Sequence, residues 1–187
     1  MNIARQLFKI AQNKLAPEDI DYSVSAAIIV YSVFTLLFFV IFGVNKEFSQ
    51  PLLYSIVLTA SAVLALVVLL KIQRKENRVV QTITAVFGIG SIVMCLVIFL
   101  ALTGIFAILI IPVWVYGFIV CIRIIKSSFS CPTYLAVVII ISSYLFSTTM
   151  LSIVCPQSTQ EALVMMENLQ AQVEEAKIEQ EKASAQK

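Results

Sequence analysis

Between Val79 and Ile122 no residue carries a charge. A straight helix of that stretch would be roughly 65 Å long, about twice the hydrocarbon thickness of a bilayer. It is too long for one crossing and long enough for two. Thr103-Gly104 lies near its middle, and glycine takes the left-handed conformation that often ends a helix. The stretch therefore reads as a transmembrane hairpin, 79–103 and 105–122. Lys71, Arg74, Lys75 and Arg78 precede it and Arg123 and Lys126 follow it, so the two basic clusters are expected on the same side.

The rest of the chain agrees with a membrane setting. Of the 187 residues, 60% are hydrophobic and 13% charged, where soluble domains carry about 25% charged residues. Further apolar runs at 23–44, 52–70 and 134–154 bring the number of expected spans to five. The fold class is an all-α integral membrane protein, a five-helix transmembrane bundle with a helix at each end. The first run is too long for a signal-peptide core, and no small-residue cleavage site follows it.

Residues 1–22 form a separate N-terminal unit. Ala4, Leu7, Phe8, Ala11 and Leu15 recur at helical spacing, with Arg5, Lys9, Gln12 and Asn13 elsewhere, and Ala16-Pro17 ends the pattern. Two readings stay open: a helix lying in anionic headgroups, or one packed on the protein's own cytosolic face. Glu18, Asp19 and Asp21 mark a polar boundary. At the other end, 157–187 is polar. Ser158 and Glu161 have the spacing of a capping box, and Ala162, Met166, Leu169, Val173 and Ala176 continue at three and four residues until Gln180. This tail is expected as an extracytoplasmic helix, either solvated or used through Met166, Leu169 and Val173 to meet a partner or a second copy.

The placement of Lys and Arg sets the expected orientation. Arg5, Lys9 and Lys14, the cluster at 71–78 and the pair at 123–126 fall on one side, and the opposite short loops carry only Lys46. The N-terminus is thus expected in the cytosol and the C-terminus outside. The short loops suit a bacterial inner membrane; an ER or Golgi membrane is the alternative. The basic clusters Lys71, Arg74, Lys75, Arg78, Arg123 and Lys126 set the topology and are positioned for anionic headgroups.

Few residues offer chemistry. There is no histidine, which removes the usual acid/base group near neutral pH and any Ser-His or Cys-His pair. Cys95, Cys121, Cys131 and Cys155 are scattered without metal-ligand spacing. No expected span contains an ionisable residue, which argues against a proton relay or a voltage sensor. No metal, cofactor or nucleic acid is expected, and no catalytic residue is assigned.

What the spans do offer is surface. Thr84, Gly88, Ser91 and Cys95 form a stripe of small residues on span three, fit for close helix packing against span four or a second copy. Span five is rich in hydroxyls, among them Ser143 and Ser147, which serve either interhelical hydrogen bonds or the lining of a pore. Pro112 is expected to kink span four.

Two stretches carry a family resemblance. Arg78-Val79-Val80-Gln81-Thr82-Ile83-Thr84-Ala85-Val86-Phe87-Gly88 looks like the basic-loop approach to the third span of Yip-domain proteins. Val113-Trp114-Val115-Tyr116-Gly117-Phe118-Ile119-Val120-Cys121-Ile122-Arg123 is similar to that family's fourth span and basic turn. The resemblance, covering roughly 23–154, is nearer to the bacterial relatives. It implies a five-span membrane adaptor or organiser without catalysis. The expected function is a non-enzymatic adaptor, scaffold or subunit of a membrane complex; the alternative is a small transporter or pore lined by the fifth span.

Overall fold

The structure is a computed structural model that describes residues 3–12, 14–44, 50–103 and 109–156. The expected tail helix with Met166, Leu169 and Val173, the loop holding Lys46 and the turn at Gly104 lie outside these residues. Six α-helices are described: α1 (Ile3–Ala11), α2 (Val24–Val44), α3 (Pro51–Ile72), α4 (Val79–Thr103), α5 (Ile110–Phe129) and α6 (Thr133–Val154). Among the described residues, five helices, α2 to α6, are long and apolar enough to cross a membrane.

The helices close into a ring in the order α2, α3, α6, α5, α4 and back to α2. Helices α3 and α4, though joined by the basic loop, make little contact. Between helices in a bilayer there is no hydrophobic driving force, so close packing and hydrogen bonds must hold the ring. Packing is supplied by aromatic rings from α2. Phe34 meets Phe87 of α4 edge-on with centroids 5.1 Å apart, and Tyr31 meets the same ring at 5.8 Å. Further along α2, Phe42 meets Tyr54 of α3 at 6.4 Å. A hydroxyl cluster joins α2 to α3: Thr59 Oγ1 lies 3.0 Å from Thr35 Oγ1 and 3.2 Å from the Tyr31 hydroxyl. Thr59 is buried.

Glycines let α4 approach its neighbours. A Cβ on Gly90 would fall 2.6 Å from the Phe34 ring, and one on Gly117 of α5 would fall 2.8 Å from a Val93 methyl. The stripe of small residues meets α1 at one position. Thr84, Gly88 and Ser91 are buried and Cys95 is exposed, and the side chain over Gly88 is Leu7 of α1. At Gly88 the stripe receives the N-terminal helix, because the glycine leaves a notch that a leucine fills.

The fourth span is also shifted. Helix α5 begins at Ile110 and runs on through Arg123 and Lys126 to Phe129. The first charge does not end it, because Ile124, Ile125 and Phe129 continue a buried face while Arg123 and Lys126 stay exposed. Pro112 falls in the first turn of α5, near its described start, not in its middle as expected. Both α3 and α5 end in a non-glycine residue in the left-handed region, Arg74 at φ 56° and Ser130 at φ 47°. At each end the following N–H reaches back to the helix: Lys75 to the Leu70 carbonyl (2.9 Å) and Cys131 to the Lys126 carbonyl (3.1 Å).

Gly117 and Gly43 give a matched test of this packing. Gly117→Ala drives a methyl onto a β-branched side chain and should cost on the order of 1–2 kcal/mol. Gly43 has nothing within 4 Å of a built Cβ, so Gly43→Ala should leave stability unchanged or raise it by up to about 1 kcal/mol. Unfolding of the purified variants in mild detergent reads both. Equal loss in the two would contradict the packing described.

Candidate functional site

The buried core lies toward the end of the ring that carries the basic residues. Leu7, Leu70, Phe87, Ile125, Phe129 and Ala136 belong to one cluster there, and Ile10, Ile20, Ala85, Val120 and Ile124 to a second. Helix α1 contributes to both. It buries Gln6, Leu7 and Ile10 and leaves Phe8 60% exposed. The face expected to contain both Leu7 and Phe8 is thus split: Leu7 faces the bundle and Phe8 faces away from it. Packing on the protein's own surface is the arrangement seen.

Polar contacts hold the segment in place. Gln6 Nε2 donates to Asp21 Oδ2 at 2.7 Å, and the Tyr116 hydroxyl of α5 donates to the Ala11 carbonyl at the end of α1. Gln81 Nε2 of α4 donates to the carbonyls of Glu18 (3.2 Å) and Ile20 (3.4 Å). Asp19 turns its carboxylate back to the Ala16 N–H at 3.3 Å, closing the 3-10 turn Pro17–Asp19.

The centre of the site is the C-terminus of α5. The last carbonyls of a helix have no intrahelical donor and carry partial negative charge. Here two cations from the α3–α4 loop supply donors. Lys75 Nζ donates to the Phe129 carbonyl. Arg78 Nη1 lies 3.0 Å from the Ser127 carbonyl, 3.4 Å from that of Ser128 and 3.3 Å from Ser130 Oγ. Glu18 completes the node: one carboxylate oxygen accepts the Ser127 hydroxyl at 2.8 Å and sits 3.5 Å from Arg78 Nη1. Residues from three distant parts of the chain thereby meet, and both basic clusters stand at one end of the ring.

The six basic residues expected to act together divide into two sets. Lys75 and Arg78 are half-buried and engaged within the protein. Lys71, Arg74, Arg123 and Lys126 are exposed around the node. The sequence reading did not find the node. Glu18 stood there only as part of a polar boundary, and no local spacing links positions 18, 78 and 127.

The hydroxyls of α6 sort by direction. Ser147 is buried and donates to the Ser143 carbonyl at 2.9 Å; Ser143 Oγ is itself buried without a partner among the described residues. The hollow beside Ser143 is lined by Leu64, Ala65, Val68, Leu69 and Phe146, with Ser142 as its other hydroxyl. Ser142, Thr149 and Ser152 are exposed. Thr149 and Ser152 donate to carbonyls four residues back, at 2.8 and 3.0 Å, which satisfies them inside hydrocarbon without a second helix.

Among the described residues no cluster of three or more metal-ligating side chains occurs. Cys155, just past α6, is buried, and burial pushes its thiol above the ordinary value, which lowers its thiolate fraction and its reactivity. No family model, curated protein or solved structure matches this chain, so the expected likeness to Yip-domain proteins gains no support from them.

The two lysines of the α3–α4 loop give a controlled test of the node. Lys75→Met removes the donor to Phe129 and should cost roughly 1.5–3 kcal/mol, the range for hydrogen bonds to charged groups. Lys71→Met, at an exposed position, should change stability by less than about 0.5 kcal/mol. Denaturant titration in detergent compares them; equal effects would show that the Lys75 bond is not holding the loop.

Proposed function

We infer that the chain is a multi-pass membrane protein that works by association, as an adaptor, scaffold or subunit of a membrane complex, without catalysis. The observation that carries this reading is the exposure of the α6 hydroxyl residues Thr149 and Ser152. A pore would need them turned inward along a continuous polar path. Instead Thr149 and Ser152 are exposed and bonded to their own helix, so they present small side chains against which another helix can pack closely. Ser143 and Ser142 border a largely apolar hollow between α3 and α6, and Ser147 is buried against its own helix.

A second surface is the basic end. Lys71, Arg74, Arg123 and Lys126 surround the node and are exposed, and each such charge near an anionic leaflet contributes about 1 kcal/mol of attraction. In this reading the basic end and the N-terminus are cytosolic, by the positive-inside bias. The membrane is a bacterial inner membrane, with ER or Golgi as the alternative. The partners are anionic lipids and a second membrane protein or another copy of the chain.

A photocrosslinking residue at position 149 or 152 in native membranes should yield a discrete protein adduct, and the same residue at position 29, exposed on α2, should not. Purified protein in liposomes should pass no solute. Adducts with lipid alone at 149 and 152, together with flux that Ser147→Phe stops, would replace this reading with the transporter.

A further inference from the structure

Inside the ring, among α2, α4, α5 and α6, is a pocket of about 210 Å³. Phe34, Phe38, Val93, Met94, Trp114 and Phe118 line it, with Gly90, Gly117 and Cys121. The walls are almost wholly apolar. An ordered water needs two to four polar partners, and these walls do not provide them. The surrounding solvent of a membrane-spanning helix is hydrocarbon, and two lining residues, Trp114 and Phe118, are 49% and 45% exposed. A hydrocarbon chain is the occupant that matches such walls.

One polar group on the lining makes the match more specific. The indole N–H of Trp114 has no acceptor among the described residues. Indole N–H groups placed against apolar surroundings usually find a partner, and an unmet donor in hydrocarbon is costly. Trp114 lies in the second turn of α5, and Lys126 stands twelve residues further on, roughly 18 Å away. Trp114 is therefore toward the end of the ring opposite the basic residues. From Trp114 to Cys121 the pocket follows α5 for about 10 Å toward the basic end.

We propose that this pocket binds the hydrocarbon chain of a lipid from the leaflet opposite the basic residues, with the Trp114 indole N–H donating to the carbonyl oxygen that heads the chain. Phe34, Phe38 and Phe118 form the walls, and Gly90 and Gly117 keep α4 close enough to close the floor. A phospholipid ester and a free fatty acid share this chemistry.

Trp114 is the single tryptophan of the chain, so its fluorescence reads the site directly. Purified protein is reconstituted with increasing mole fractions of a phospholipid brominated at mid-chain, and separately with a brominated fatty acid. Specific binding gives quenching that saturates at low mole fraction, above a proportional background from bulk lipid; whichever probe saturates identifies the source. A bromoalkane of equal length, lacking the carbonyl, should need roughly tenfold more to saturate, as one lost hydrogen bond implies. Val86→Phe and Cys121→Leu, which enlarge lining side chains and leave Trp114 in place, should remove the saturable phase and keep the background. Strictly proportional quenching by both acyl probes in the unaltered protein overturns the proposal, as does a saturable phase that survives in both folded variants. Equal saturation by the bromoalkane overturns the role of Trp114. Should neither variant fold, the dose dependence of the unaltered protein decides.

Discussion

The carbonyls that end α5 are acceptors in need of donors, and how they are met shapes this end of the molecule. Lys75 and Arg78 reach them from a loop that precedes α4 by one turn. To do so, the start of α4 must stand beside the end of α5, and the end of α3 must be near both. Glu18 then has a defined place, because it balances Arg78 and accepts from Ser127. With Glu18 placed, the N-terminal segment runs back along α4 and Leu7 meets Gly88. One requirement of backbone chemistry thus connects the loop, two helix ends and the first helix.

Elsewhere the ring depends on shape. In hydrocarbon, leucine gains little by touching leucine instead of lipid, so the contacts that discriminate are those where surfaces fit closely. Phe34 over Gly90 and Val93 over Gly117 are of this kind. The hydroxyls of Tyr31, Thr35 and Thr59 add the one interhelical polar cluster seen between α2 and α3 among the described residues. Bonds of this type average about 0.6 kcal/mol in a membrane, so they orient α2 against α3 more than they hold it. Toward the opposite end the core thins, and the room left beside Trp114 is consistent with a bundle tightened from its basic end.

Length and charge made the spans legible in the sequence. The boundaries of α4, at 79 and 103, coincide with the reading, and those of α2 and α6 differ by one residue. The fourth span was misjudged because its end was placed at the first charge, whereas the amphipathic continuation through Ile124, Ile125 and Phe129 carries the helix further. Helical spacing found α1 but not its direction: Ala4, Leu7, Phe8 and Ala11 share a broad face, and only the notch at Gly88 selects Leu7 for the interior. The node could not be read at all, since a contact among residues 18, 78 and 127 depends on the order of helices around the ring. That order follows from complementary surfaces, which leave no periodic trace.

The claim on which the rest stands is that Arg78 joins the N-terminal segment to the end of α5. Hydrogen exchange of the protein in lipid nanodiscs, with and without Arg78→Met, measures it. Amides of residues 3–12 and 128–131 should be protected in the unaltered protein, and both stretches should exchange faster, together, in the variant. Residues 3–12 exchanging at the rate of an unstructured peptide in the unaltered protein, or staying protected once Arg78 is replaced, would contradict the account.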